Sequence, residues 1–271
     1  MKVKVIGGGL AGCESAYQLL KRGINVDMYE MRGVKSTPCH KTDGLAELVC
    51  SNSLKAQSLD NASGLLKYEL ARLDSLILKC AYKTDVPAGG ALAVDREKFS
   101  ALVREKLDKF DGFRLIREEV CDIDEDSPTV IATGPLTSDS LSESIKKIVG
   151  ANRLHFFDAV APIIDAQSVD YTKAFFAGRY GKGGEDYLNC AMNKEEYSEL
   201  INAERASLKD FEINVFERCM PIEIMASRGE DTMRYGPLRP VGIRNPYKDE
   251  RPYAVVQLRK EDASGSAYNI V

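Results

Sequence analysis

No stretch of this 271-residue chain approaches the roughly 18 consecutive apolar residues that a membrane-crossing helix needs. A strand pattern opens at the third residue with no small-residue cleavage site before it, so neither a membrane span nor a signal peptide is expected. Cysteine-pair motifs are missing as well. The seven cysteines are an odd number and none form a C-x-x-C, which argues against a disulfide framework or a zinc knuckle and for free thiols in a reducing cytoplasm. Internal repeats and low-complexity linkers do not occur. A net charge of -4 argues against nonspecific nucleic-acid binding. What remains is a soluble globular chain, 44% hydrophobic and 29% charged, long enough for one large or two ordinary domains.

The positive content opens with a strand-turn-helix-strand unit in the first thirty residues. Val3, Val5 and Ile6 form an apolar strand that runs into Gly7-x-Gly9-x-x-Gly12. A helical pattern with Ala11, Ala16, Leu19 and Leu20 follows, Gly23 closes it, and a second strand spans Ile24 to Tyr29. In such a unit Gly7 makes the tight turn, Gly9 lets a pyrophosphate approach the backbone, and Gly12 lets helix and strand pack closely. The helix start offers free N-H groups and its positive dipole end to phosphate. Glu30, at the end of the second strand, can accept both ribose hydroxyls of an adenosine and disfavours a 2'-phosphate, so FAD or NAD is expected in preference to NADP.

Beyond Glu30 an irregular stretch runs from Met31 to Ser58, ordered around Ala46-Glu-Leu-Val-Cys50. Asn61 or Ser63 is expected to cap a helix with a buried stripe of Leu65, Leu66, Leu70, Leu73, Leu76 and Ile77. Val86 to Val94 is small and apolar with paired glycines, either a simple strand-turn or a place where backbone approaches a flat ligand. A helix is expected from Asp95 to about Phe110, then strands at Phe113 to Ile116 and Glu119 to Ile123, and a buried strand Thr129 to Gly134 ending in a glycine turn. Ser140 and Glu143 form a capping box for a helix ended by Gly150.

The texture then changes, and a boundary near residue 150 divides a domain of 1-150 from one of 151-271. In the second, Leu154 to Ile164 and Arg251 to Leu258 read as strands, with a helix of about Lys194 to Phe211 capped by Asn193 and Glu196. Residues 218 to 260 hold nine Lys or Arg against five acids, which suits an anionic partner or a solvated mixed surface equally. The last residues, Ala267 to Val271, read as a strand cut short, so a C-terminally truncated chain is expected.

Several stretches in order resemble the folate- and flavin-dependent tRNA (uracil-5-)-methyltransferases, the TrmFO family. They are Gly7-Gly-Gly-Leu-Ala-Gly-Cys-Glu14, Tyr29-Glu-Met-Arg32, Glu47-Leu-Val-Cys-Ser-Asn-Ser-Leu54, Val86-Pro-Ala-Gly-Gly-Ala-Leu-Ala-Val-Asp-Arg-Glu97, Ala132-Thr-Gly-Pro-Leu-Thr-Ser138, Phe156-Phe-Asp-Ala159, Cys219-Met-Pro-Ile-Glu223 and Arg251-Pro-Tyr-Ala-Val-Val-Gln-Leu-Arg259. The first is also similar to the sister family that modifies wobble uridines. The resemblance implies an α/β fold, an FAD-binding Rossmann-like domain of the glutathione-reductase type with an inserted α+β domain. It implies FAD held by Gly7, Gly8, Gly9, Leu10, Ala11, Gly12, Glu30 and Arg32, with the Gly134 turn as a second flavin signature. It implies 5,10-methylenetetrahydrofolate as carbon donor, NAD(P)H as reductant, and a T-loop uridine of tRNA as target. The sequence departs from the family pattern at Arg218, Ala191, Cys39 and Lys41, so the same chemistry on ribosomal RNA stays open, as do the wobble-uridine pathway and a non-catalytic nucleotide- or RNA-binding fragment.

Uracil C5 is a poor nucleophile until a thiolate adds to C6, so the implied chemistry requires an ionisable cysteine. Cys219, beside Arg218 in the basic segment, is the candidate for that addition. The resemblance makes Cys50 the second catalytic cysteine, handling the methylene or removing the C5 proton. Cys13, Cys80, Cys121 and Cys190 read as structural. Arg228, Arg234, Arg239 and Arg244 are candidates for phosphate contacts, with solvated surface as the alternative. His40 could serve folate or structure, and His155 reads as core. Arg179 and Tyr180 fit either a stack on a base or pterin or a surface turn.

Overall fold

The computed structural model describes residues 1–37, 39–49, 51–124, 126–150, 163–181, 184–207, 222–248 and 251–270. The chain falls into two units, one of residues 1–85 with 94–158 and one of residues 86–93 with 159–271.

The first unit runs through β1 (Lys2–Ile6), α1 (Leu10–Leu20), β2 (Asn25–Glu30), β3 (Ser53–Ala56), α2 (Ala62–Arg72) and α3 (Leu76–Ala81). The chain passes between units at β4 (Asp85–Val86) and β5 (Ala91–Val94), and the first unit resumes with α4 (Arg96–Asp108), β6 (Phe113–Arg117), β7 (Thr129–Ile131) and α5 (Asp139–Val149). Its parallel sheet has the order β6-β2-β1-β7, with Val3 opposite Val26 and Val5 opposite both Met28 and Val130. Near-continuous burial of Val3, Val5, Ile6, Val26 and Met28 is what a parallel strand covered on both faces requires. α1 covers the sheet with Gly12, Cys13, Ala16 and Leu20, and α4 adds Phe99, Val103 and Leu107 at helical spacing. Asp95 caps α4 through its side chain, and Gly23, at φ +73, ends α1.

Five local expectations fail here. The leucine stripe of 65 to 77 is not one buried face: Leu65, Leu66 and Leu73 are exposed, and α2 buries only Gly64 and Lys67. The cause is a break after Leu73. Asp74 takes φ +65, Ser75 starts a new helix, and the Glu14 carboxylate of α1 accepts from Ser75 Oγ at 2.7 Å and from the N-H groups of Leu76 and Ile77. The break rotates α3 so that Leu76, Leu78, Cys80 and Ala81 are buried instead. Residues 119 to 123 form no strand, because Asp122 and Ile123 bond to Ser144 of α5. This leaves Cys121 exposed, against its reading as a buried hydrophobe. β7 is half-buried rather than buried because it is the sheet's edge strand among the described residues, and Ile131 is 40% exposed. The cap of α5 is Ser138, whose side chain accepts from Leu141 N-H, and not Ser140; Gly150 ends the helix at φ +65 as expected.

The second unit contains β8 (Ile163–Asp165), β9 (Phe175–Phe176), β10 (Tyr187–Met192), α6 (Lys194–Ser207), α7 (Ile222–Ser227), α8 (Glu230–Arg234), β11 (Ala254–Lys260) and β12 (Ala267–Ile270). Its antiparallel sheet runs β8-β12-β11-β10-β9. Asn193 and Glu196 bond reciprocally at 2.8 Å to form the capping box of α6, whose Tyr197 and Ile201 pack with Ala226, Met233, Leu238 and Ala254. Between β4 and β5 the chain makes a plain strand-turn-strand: Gly89 takes φ +58, its N-H donates to Asp186, and Tyr187 Oη donates to Ala88 O. His155 lies outside the described residues. No helix among the described residues is long and apolar enough to cross a membrane.

The α2 break makes a test. Phe99→Ala, emptying a fully buried site, is expected to lower unfolding free energy by about 3–5 kcal/mol. Leu66→Ala, on the exposed face, should change it by less than about 0.5 kcal/mol. Urea unfolding of the two variants measures both, and comparable losses would overturn the exposed assignment of α2.

Candidate functional site

The turn between β1 and α1 is shaped by three different steric demands. Gly7 sits at φ +100, and a Cβ there would meet Ala132 O at 2.6 Å. A Cβ on Gly12 would lie 1.8 Å from Gly7 O, so only glycine lets α1 pack against the turn. Gly9, by contrast, has nothing within 4 Å of its Cβ position; it faces open space at the N-cap of α1. No side chain caps that helix. Leu10 and Ala11 occupy its first turn, so the N-terminal N-H groups and the positive end of the helix dipole are available to an anion.

Gly8 ties the turn to everything around it. Its N-H donates to Glu30 Oε2 at 2.7 Å and its carbonyl accepts from Ala46 N-H at 2.8 Å and from Cys13 Sγ at 3.3 Å. Glu30, only 6% exposed, also accepts from Arg32 through Nη2 on Oε2 and through backbone N and Nε on Oε1, at 3.0–3.1 Å. These four donors fill the roughly four acceptor directions of a carboxylate. A ribose hydroxyl reaching Glu30 therefore has to share or displace one of them. Burial by itself would raise the Glu30 carboxyl, but the Arg32 guanidinium and the Arg32 and Gly8 N-H groups outweigh it and hold the group below its ordinary 4.5.

Arg32 is 2% exposed and divides its charge between Glu30 and Glu47, whose Oε2 lies 3.0 Å from Nη1. Glu47 further accepts from the N-H groups of Lys41 and Thr42 and from Thr42 Oγ1, folding the loop back on itself. Composition and motif spacing give no sign of this role for Glu47; it sits unremarked inside the Glu47-Leu-Val-Cys motif. Leu45 and Ala46 are buried beside Gly8, Arg96 Nη1 donates to Leu48 O, and Asn52, fully buried, donates to Val94 O. Cys50 falls between these pinned residues but lies, like Cys219, outside the described residues.

A cleft of about 550 Å³ of free space, part of it open to solvent, collects these groups. It is lined by Gly7, Gly8, Gly9, Glu30 and Arg32 on one side and by Thr133, Leu136 and Thr137 on another. Gly134, at φ +62, shapes that second wall without lining it, and its carbonyl accepts from Thr137 Oγ1. His40 also borders the cleft, with Nδ1 2.7 Å from Thr37 Oγ1.

Of the basic candidates in the second unit, Arg228, Arg239 and Arg244 are exposed. Arg234 is half-buried over the Tyr253 ring at 3.9 Å and donates to Tyr253 O, which makes it part of the scaffold. Among the described residues no cluster of His, Cys, Asp and Glu suits a metal ion.

The fold and site define a Rossmann-type α/β protein of the FAD-binding class, with an open cleft at the head of α1. The family model for glucose inhibited division protein A matches residues 2–271. The chain is 59% identical to a methylenetetrahydrofolate–tRNA-(uracil-5-)-methyltransferase TrmFO of Natranaerobius thermophilus, over all of this chain and 64% of that one. To the protein of the same name from Lactobacillus helveticus it is 57% identical, over 99% of this chain and 67% of that one. Among solved structures, GidA of Aquifex aeolicus superposes with a TM-score of 0.61 at 14% identity, covering 99% of this chain and 49% of that one. The chain belongs to the glucose inhibited division protein A family and, within it, to the TrmFO group. It spans about two thirds of the length of the curated relatives it matches.

Two measurements check the electrostatics. A carboxyl held lower in the folded than in the unfolded state stabilises fully above its unfolded value, and that stability is lost as pH falls through the folded one. Wild type should therefore lose stability more steeply than Glu30→Gln between roughly pH 5 and pH 3, read by denaturant midpoints across that range. Burial pushes the Cys13 thiol up to about 12 and the Cys80 thiol up to about 11. At pH 8 a thiol reagent should modify the exposed Cys121 in the native protein and leave Cys13 and Cys80 untouched until unfolding; early modification of Cys13 would contradict its burial.

Proposed function

We propose that this chain binds FAD in the cleft at the head of α1 and serves methyl transfer from 5,10-methylenetetrahydrofolate to C5 of a T-loop uridine in tRNA, with NAD(P)H as reductant, in the cytoplasm. The observation that carries the reading is the uncapped start of α1 above an open Gly9, bounded by the buried Glu30–Arg32 pair. Pyrophosphate suits that helix start, and a carboxylate at the end of β2 suits an adenosine ribose without a 2'-phosphate. Identities of 57–59% to proteins named for this activity support the choice of reaction.

In this reading Gly7, Gly8 and Gly12 shape the turn, and Gly9, Leu10 and Ala11 present backbone to the pyrophosphate. Glu30 would receive the ribose in place of one of its present donors, and the Gly134 turn would form the opposite wall. Bound FAD supplies the two-electron chemistry that converts a methylene to a methyl group. The protein's own part is to activate the base. The Cys219 thiolate would add to uridine C6 and place an electron pair at C5, which would attack the one-carbon unit as a bond from that carbon to its carrier nitrogen breaks and the nitrogen leaves with the pair. Cys50 takes the C5 proton, and breaking the C6–S bond restores both the aromatic ring and the thiolate.

Adding FAD to the purified chain should shift and sharpen the flavin visible band, and Gly12→Ala, which cannot keep the turn, should abolish the shift. Cys50→Ala and Cys219→Ala should keep the flavin band and reduce carbon incorporation from labelled methylenetetrahydrofolate into a tRNA transcript to background. Incorporation from labelled S-adenosylmethionine would refute the reading.

A further inference from the structure

Among the described residues of the second unit, one non-glycine residue departs from ordinary backbone geometry at the surface. Tyr180 has φ 56 and ψ 25, the left-handed region that a bulky aromatic residue rarely enters. Its ring is 69% exposed, so the strain is not offset by burial of the side chain.

A built polar network holds it there. Asn189, fully buried in β10, donates to the carbonyls of Phe175, Ala177 and Tyr187 and accepts from Gln257 Nε2 at 2.9 Å. Gln257 in turn accepts from Arg179 Nε at 2.6 Å. The Arg179 Nη1 then donates to Arg239 O and Val241 O at 2.8 Å each, and Tyr180 N-H donates to Gly242 O at 2.8 Å. Three linked side chains, those of Asn189, Gln257 and Arg179, thus run from the sheet interior to a loop and fix Tyr180 beside Gly242. A Cβ on Gly242 would meet three atoms of the Tyr180 ring, each at 3.0 Å. The glycine therefore lies against one face of the ring, and the side chain's large exposure leaves its other face to solvent.

The loop that holds the ring through Gly242 carries two arginines. Arg239 and Arg244 are exposed and form no ion pair among the described residues. The Arg179 guanidinium is pushed down by its burial and then by the nearby Arg239 charge, a crowding of like charges that an anion would relieve. A rigid aromatic face next to cations is the arrangement that takes an unpaired nucleotide, base on ring and phosphate on arginine.

We infer that Tyr180 is a nucleobase-stacking platform for an unpaired base of the RNA substrate, with Arg239 beside it for the phosphate. The inference rests on the RNA-directed reading of the preceding subsection and extends it to a contact residue of the second unit. Stacking needs the ring and not its hydroxyl, so the role is confined to residues with a π-face.

The chain contains no tryptophan. Tyr180→Trp therefore installs a single tryptophan, excited apart from the tyrosines, at the platform of the 271-residue chain. Adding unmodified tRNA transcript should quench its emission and protect it from iodide. In filter binding, Tyr180→Ala should weaken transcript affinity by about 5- to 150-fold, the range a base-aromatic stack contributes. Tyr180→Phe should stay within about twofold, as should Tyr82→Ala, an exposed tyrosine of the first unit, with thermal midpoints reporting that all variants fold. Wild-type binding that Tyr180→Ala leaves unchanged overturns the platform while sparing the RNA reading. Absence of wild-type binding overturns both. Quenching by a reduced folate alone, with none by transcript, also overturns the inference and gives the ring to a pterin.

Discussion

The peptide of Gly8 is the constraint on which the first unit's site depends. Its N-H is bound by Glu30 and its carbonyl by Ala46, so strand end, glycine turn and following loop are held through one residue. A side chain there would strike Leu45 and Glu30, which is why the position carries none. Glu30 is in turn held by Arg32, and Arg32 by Glu47, so a line of alternating charges joins the end of β2 to the loop before Cys50. Buried charges of this kind stand only when each is paired and hydrogen-bonded, and here each has several partners. Displacing a donor at one end of the line consequently alters the balance at the other.

The second unit reaches precision by another route. Instead of a helix start it uses buried amide side chains, Asn189 and Gln257, to carry hydrogen bonds out of an antiparallel sheet to loop carbonyls through Arg179. Loops stitched this way keep a defined shape without a core of their own, and can hold an unfavourable backbone angle at Tyr180. Both units spend their buried polar groups on positioning loops, where recognition takes place.

Much of this was legible in the chain. The order β1-α1-β2, the roles of Gly7 and Gly12, the α4 cap at Asp95 and the α6 capping box all follow from short-range patterns, and all appear in the structure. The leucine stripe misled because periodicity records which residues are apolar and not where the helix breaks; Glu14, sixty residues away, makes that break. Residues 119 to 123 misled for a related reason, since Ser144 offered their backbone and Asp122 bonds that a strand partner would otherwise have supplied. Glu47 was hidden because a glutamate beside a cysteine motif looks like any surface acid until Arg32 is seen next to it.

The sequence by itself determined the glycine turn between β1 and α1, because glycine's missing Cβ is a local property that needs no partner to be read. It also determined the family, through motifs spread along the whole length. Only the tertiary structure decided how the charges are shared. Glu30, Arg32 and Glu47 become one group, and Asn189, Gln257 and Arg179 another, because residues up to 78 positions apart meet where water is excluded, and there an unpaired polar atom is too costly to leave alone.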